Sequence, residues 1–241
     1  MEWLVEHGPL HEDPPLPAWI LKHLVRSKRI ARLRRGLYLA PHRQTGQMLP
    51  LPVIAASLVP EGFLSFYGAL SMYGLTDQDP AIWGVVCRSQ HASIRYGRQR
   101  LHFIPWSERL RVAKTKRRVV GQWIVRIATP VQAFCDALEV LHLTPGWPEL
   151  LHVLIVGLST RKLTLNGLRA QALQIDSIVL ARRLGLLLEM ATDRVDPALQ
   201  SLARRSRNWT SLGRAQTEIV RDSKWRLLLP RGRDEIAAAA R

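Results

Sequence analysis

The stretch from Lys22 to Arg43 constrains this chain most, because it holds eight Lys or Arg and no Asp or Glu. Unpaired cations resist burial, so the segment must lie at a surface. Inside it the apolar period changes. Ile20, Leu21, Leu24 and Val25 recur at spacings of three and four. This predicts a short amphipathic helix with Lys22, His23 and Arg26 on its polar side. After Ser27, the residues Ile30, Arg32 and Arg34 alternate with Ala31 and Leu33, which is the period of a strand. Arg34, Arg35 and Gly36 then read as a tight turn, with Leu37, Tyr38 and Leu39 returning. A helix followed by a basic hairpin is the outline of a winged helix-turn-helix. The helix suits a groove of duplex DNA, and the hairpin arginines suit phosphates or a minor groove.

The totals agree with a polyanionic partner. Across 241 residues the formal net charge is +16, with a pI of about 11.2. Hydrophobic content of 47% allows one large domain or two modest ones. The longest nearly unbroken apolar run, Leu150 to Leu158, falls short of the roughly 20 residues a spanning helix needs. Glu2, Glu6, Glu12 and Asp13 near the start do not read as a signal peptide. Cys87 and Cys135 make neither a disulfide scaffold nor a zinc site, and read as buried thiols in a reducing cytoplasm. A cytoplasmic protein with no membrane partner is expected.

Taken in order, Met1 to His7 predicts one or two helical turns, and four prolines between Gly8 and Pro17 break regular structure. Residues 42–52 read as a linker. This places a winged-helix domain at 1–45 and a larger mixed α/β domain at 53–241, an α+β chain overall. Val53 to Val59 predicts a short helix stopped by Pro60. Phe63 to Gly74 reads as a tightly packed helix ended by Gly74. Ala81 to Ile127 reads as β, with strands at Ile82–Val86, Ser93–Tyr96, Leu101–Ile104 and Gln122–Ile127. This β region carries eleven Lys or Arg against one acid, Glu108. Its aromatics read as sheet core, and Lys114, Lys116, Arg117 and Arg118 as supplementary phosphate contacts. Thr129 is a candidate N-cap with Pro130 at the first helical position. Pro148 to Arg207 is helical in pattern, and Gly185 within it suggests a close approach by another element. A late strand is expected in "SKWRLLLP", and a frayed Ala-rich helix at 235–241.

Four blocks resemble AbiEi-type antitoxins and related transcriptional regulators, in that family's order. "LVRSKRIARLRRGLYLAP" is similar to the end of its winged-helix domain, with Arg35, Gly36, Leu37 and Tyr38 at the wing. Leu64, Ser65, Ala69, Leu70, Gly74 and Leu75 match a Leu-Ser-x(3)-Ala-Leu-x(3)-Gly-Leu segment. Thr129, Pro130 and Asp136 match a strand, Thr-Pro and Asp-bearing helix. Gln132 and Ala133 stand where the family usually has Glu-Arg. "RRLGLLLE" is similar to a C-terminal Arg-Leu-Gly helix. The resemblance implies an autorepressor that binds inverted repeats as an operator. It also implies a C-terminal region, from about Val53 onward, that opposes a nucleotidyltransferase toxin.

The usual catalytic fingerprints are missing: no phosphate-binding Gly loop, dinucleotide motif, nucleophile elbow or His-Glu-x-x-His occurs. No cofactor, metal or catalytic residue is expected. His7 and His11 are separated by Gly8 and Pro9 and cannot share a helical face. Asp222 and Lys224 have the acid-x-Lys spacing of metal-dependent nucleases, with Glu218 one turn earlier, and form the alternative enzymatic reading. A second alternative is a nucleic-acid-binding interaction module of a defence system, working through the basic β region. The leading expectation is a regulator that contacts DNA through Lys22, His23, Arg26, Lys28, Arg29, Arg32, Arg34 and Arg35.

Overall fold

The computed structural model describes residues 4–6, 17–41, 46, 48–213 and 220–230. The expected break at residues 8–16, the start of the linker, His7, His11, Arg43, Glu218 and the Ala-rich end lie outside the described residues. The architecture is α+β, as the periodicities predict.

A small sheet opens the chain. Strands β2 (Ala31–Arg34) and β3 (Leu37–Leu39) form the expected hairpin, with Gly36 at φ 76° in its turn. Helix α1 (Ala18–Arg26) precedes them. A third strand, β1 (Leu4–Glu6), pairs antiparallel with β3, giving the order β1-β3-β2. This corrects the helical turns expected at the start of the chain. An isolated two-turn helix is marginal in water, whereas a strand gains a ladder of backbone hydrogen bonds from β3. Among the described residues a single helix leads into the hairpin.

The central sheet has six strands in the order β6-β7-β5-β4-β9-β8. These are β4 (Phe63–Ser65), β5 (Ile82–Cys87), β6 (Ile94–Tyr96), β7 (Gln99–Pro105), β8 (Thr115–Val120) and β9 (Trp123–Ala128). Helix α2 (Leu51–Leu58) lies over β4, β5 and β9. Phe63 to Ser65 corrects the expectation of one helix from Phe63 to Gly74. The chain runs as a central strand and enters helix α3 (Phe66–Met72) only at Phe66, at φ 60°. Fully buried strands lack the alternation that would have separated them from a helix. Helix α4 (Ser107–Val112) interrupts the β region and was not expected.

Helix α5 (Pro130–Glu139) begins as predicted, with the Thr129 hydroxyl accepting from Gln132 N. Four more helices follow: α6 (Trp147–Ser159), α7 (Leu165–Ile175), α8 (Ile178–Thr192) and α9 (Pro197–Ala203). The last sheet joins β10 (Thr210–Ser211), β11 (Val220–Asp222) and β12 (Leu227–Leu229). Gly185 of α8 faces the fully buried Trp225, and a Cβ there would lie 2.1 Å from the indole ring. The close approach expected at this glycine is thus a tryptophan from the turn before β12. Trp225 Nε1 donates to Glu189 at 2.6 Å, so the indole cannot easily retreat.

A polar cluster ties the sheet to the helices. Asp136 of α5 is fully buried and accepts from Ser65 Oγ at 2.6 Å and Gln132 Nε2 at 2.7 Å. Arg109 Nε of α4 lies 3.1 Å from the same carboxylate, and its guanidinium also pairs with Glu139. Gln171 of α7 donates to Gln132 at 3.0 Å. The members come from β4, α4, α5 and α7, so the cluster reads as structural. Burial raises the Asp136 pKa to about 6, opposed by Arg109, Ser65 and Gln132. The fold therefore favours the protonated form. That contribution is present below the ordinary value near 3.8 and is lost as pH rises towards 6. Replacing Asp136 by Asn should remove this dependence. Denaturation across pH 4 to 6 should show the variant gaining on the wild type by about 2 kcal/mol as pH rises. A constant difference between the two would reject the assignment.

Candidate nucleic-acid interface

Helix α1 separates its faces as its spacing predicts. Leu21 is buried and Ile20, Leu24 and Val25 are half-buried, while Lys22, His23 and Arg26 are exposed. Trp19 belongs to the exposed side as well, at 72% exposure. Positions 19, 22, 23 and 26 are spaced three, four and seven apart, so one stripe carries an indole and three basic side chains. Trp19 carries no distinct signal in the sequence, since an aromatic next to an apolar stripe is more often core. His23 and Arg26 lie in the last turn, where positive charge suits the helix dipole.

The helix stops abruptly. Arg29 N donates to Leu24 O at 2.9 Å and Lys28 N to Val25 O at 3.1 Å, with Lys28 at φ 56°. This paired pattern is the Schellman closure, whose left-handed position usually belongs to Gly. Ser27 Oγ adds a bond to His23 O at 3.0 Å. The closure reverses the chain at once into β2, so helix and hairpin present their cations from adjoining positions. Lys28 and Arg29 are both exposed on the turn between them.

On the hairpin, Leu33, Leu37 and Leu39 point into the continuous core. Arg32 and Arg34 alternate with Leu33, and Arg32 sits directly across from Tyr38. Arg32 and Arg35 are exposed, and Arg34 is half-buried. None of Lys22, His23, Arg26, Lys28, Arg29, Arg32, Arg34 or Arg35 has a carboxylate within 4.0 Å among the described residues.

Strand β2 packs against β6, an adjacency the sequence did not suggest. Strand β6 carries exposed Arg95, which sits directly opposite exposed Arg100 of β7, and Arg98 is exposed in the turn between them. The only sequence signal for these three was the basic excess of the whole β region. Lys114, Lys116, Arg117 and Arg118 are all exposed but do not form one patch. Strand alternation turns Arg118 over the Tyr73 ring, 5.4 Å from its centroid, while Arg117 lines a groove under α2.

The nuclease-like residues are engaged internally. Asp222 Oδ1 accepts from Trp225 N at 2.9 Å, and Lys224 Nζ pairs with Glu189 at 2.6 Å. Glu218 lies outside the described residues. Among those residues no group of three or more His, Cys, Asp or Glu could hold a metal ion. Both cysteines are free and buried, and burial pushes the Cys87 thiol up to about 11. No helix among the described residues is long and apolar enough to cross a membrane.

The fold is similar to a solved structure, the RV2827C protein from Mycobacterium tuberculosis. The likeness covers 89% of this chain and 80% of that one, with a TM-score of 0.55 and 15% identity. At that identity it speaks to fold alone. No family model matches the chain, and no curated protein matches it by sequence.

Lys28 separates conformation from charge. A side chain in the left-handed region costs about 1 kcal/mol relative to Gly. Lys28→Gly should therefore raise stability by about that amount in urea denaturation. If the turn meets a phosphate, the same variant should bind DNA more weakly. Lower stability would refute the strain, and unchanged DNA affinity would refute the contact.

Proposed function

We propose that this protein is a DNA-binding transcriptional regulator whose reading head is α1 with the β2–β3 hairpin. The observation that carries this reading is the run of basic side chains on α1, its closing turn and the wing. Seven of the eight are exposed, Arg34 is half-buried, and none has an acidic partner among the described residues. An internally satisfied basic segment would be paired or turned inward. This one is held outward by the burial of Leu21, Leu33, Leu37 and Leu39.

The division of labour follows from chemistry. Lys22, His23 and Arg26 share a helical stripe and suit base edges and nearby phosphates in a major groove. Lys28, Arg29, Arg32, Arg34 and Arg35 suit the backbone, which fixes position without reading sequence. Arg95 adds an exposed cation on β6, the strand against which β2 packs. Each neutralised phosphate releases counterions, so affinity depends on salt.

The four sequence blocks shared with AbiEi-type proteins support a further step, an antitoxin that also represses its own operon. On that reading the inverted repeats of its promoter are the operator. The region from about Val53 onward then counters a nucleotidyltransferase toxin in the cytoplasm. A neighbouring nucleotidyltransferase gene, with rescue on co-expression, tests this step separately from DNA binding.

Binding to the chain's own upstream DNA at several salt concentrations tests the reading head. With about six phosphates contacted, log K should fall against log salt with a slope near −5. A flat response would sink the mechanism. Arg34→Ala combined with Arg35→Ala should weaken all duplexes alike and make the slope shallower by up to about 2. Arg26→Ala should instead reduce discrimination between operator and random DNA. Unchanged discrimination would remove its base-reading role.

A further inference from the structure

A groove on the other flank of the molecule has the make-up of a small-molecule site. It lies between α2 and the β8–β9 end of the central sheet, with a volume of about 390 Å³. That is within the range of small-ligand pockets. Ala55, Val59, Phe63, Leu64 and Val85 give it an apolar lining. Arg117 and Arg126 stand at its mouth.

The register makes this pair unusual. Arg117 and Arg126 are directly opposite on antiparallel strands, and so are Val119 and Ile124, two positions along on each strand. Period-two alternation puts all four on one face. Like charges directly opposite destabilise a sheet. Neither arginine has a carboxylate within 4.0 Å among the described residues. Val119 is 68% exposed and Ile124 is 64% exposed. The face thus pairs two unneutralised guanidinium groups with two uncovered aliphatic side chains.

Arg126 is also fixed in place. Its Nε donates to Thr115 Oγ1 and its Nη1 to Glu61 O, both at 3.0 Å. The Phe63 ring lies under it, 5.7 Å from its carbon centre. Three N–H groups of that guanidinium remain for a ligand. Arg117 has no hydrogen-bond partner among the described residues and is exposed.

From this arrangement we infer that the groove binds a small phosphomonoester carrying an apolar or aromatic body. A dianion neutralises both arginines at once, and guanidinium groups match phosphate oxygens in bidentate geometry. The volume exceeds what inorganic phosphate fills, and Ile124 with the rest of the groove lining receives the body. The site shares no residue with α1 or the wing, so it stands or falls apart from the DNA-binding reading of that head.

Calorimetric titration of the full chain with phenyl phosphate tests the inference, with inorganic phosphate and benzoate as comparisons. Phenyl phosphate should bind saturably and about tenfold more tightly than either. Arg117→Gln should weaken it about tenfold or more, and Arg117 is exposed, so the variant should fold. Ile124→Ser should weaken phenyl phosphate while leaving inorganic phosphate unchanged. No saturable binding, or full binding by Arg117→Gln, would overturn the site. Equal affinity for inorganic phosphate would overturn the apolar half of the assignment, and equal affinity for benzoate the dianion half.

Discussion

The Asp136 carboxylate is the interaction on which the rest of the described structure depends. Placing one carboxylate wholly out of water costs several kcal/mol unless donors surround it. Ser65, Gln132 and Arg109 are those donors and counter-charge, and they come from the end of β4, from α5 itself and from α4. The carboxylate therefore fixes where β4 ends, how deep α5 sits and why a helix interrupts the β region at Ser107. Arg109 stacks on Trp106, 4.2 Å from its ring centroid, which holds the guanidinium over the acid. Removing any one partner leaves the others buried and short of a bond. That asymmetry makes the cluster a specification of the fold more than a source of stability.

The same logic divides the basic residues into two populations. Arg182 is buried, and its guanidinium donates to Ala203 O, Thr210 Oγ1 and Ser206 O at 2.7 to 2.9 Å. Arg183 caps the end of α5 by donating to Leu138 O and Glu139 O, and reaches Ser211 O. Their placement joins α8 to the last sheet and to α5. Both have pKa values lowered by burial, the cost of holding a cation against carbonyls without a directly paired acid. Net charge alone therefore overstates how much cationic surface this protein offers. The basic residues on α1, its closing turn and the β2–β3 hairpin are mostly exposed and have no acidic partner among the described residues.

Legibility in the sequence tracked the number of independent signals at each position. The β2–β3 hairpin had alternation, a turn glycine and a charge run, and each described the same element. The start of α5 had both Thr129 and Pro130. Gly185 announced a close neighbour, but only the folded structure names Trp225, because that contact joins residues 40 apart in the chain. Strand β4 and the β1 ladder failed for the opposite reason. Phe63 to Ser65 has every side chain buried, so no period survives, and β1 exists only through its pairing with β3. Arg95 joined the candidate interface through the packing of β2 on β6, which no local pattern encodes.

The charge run in β8 shows how secondary structure decides what a cluster can do. On α1, residues three and four apart meet, so Trp19, Lys22, His23 and Arg26 become one surface. On a strand, neighbours in sequence are sent to opposite faces. Lys116, Arg117 and Arg118 are consecutive, yet Arg118 stacks over Tyr73 while Arg117 meets Arg126 across the ladder. Density of charge along the sequence suggested supplementary phosphate contacts here, from residues that the strand divides between its two faces. What the strand makes instead is a cross-strand cationic pair beside an aliphatic pair. Such a face repels itself until an anion enters, and it is only partly covered until an apolar body follows.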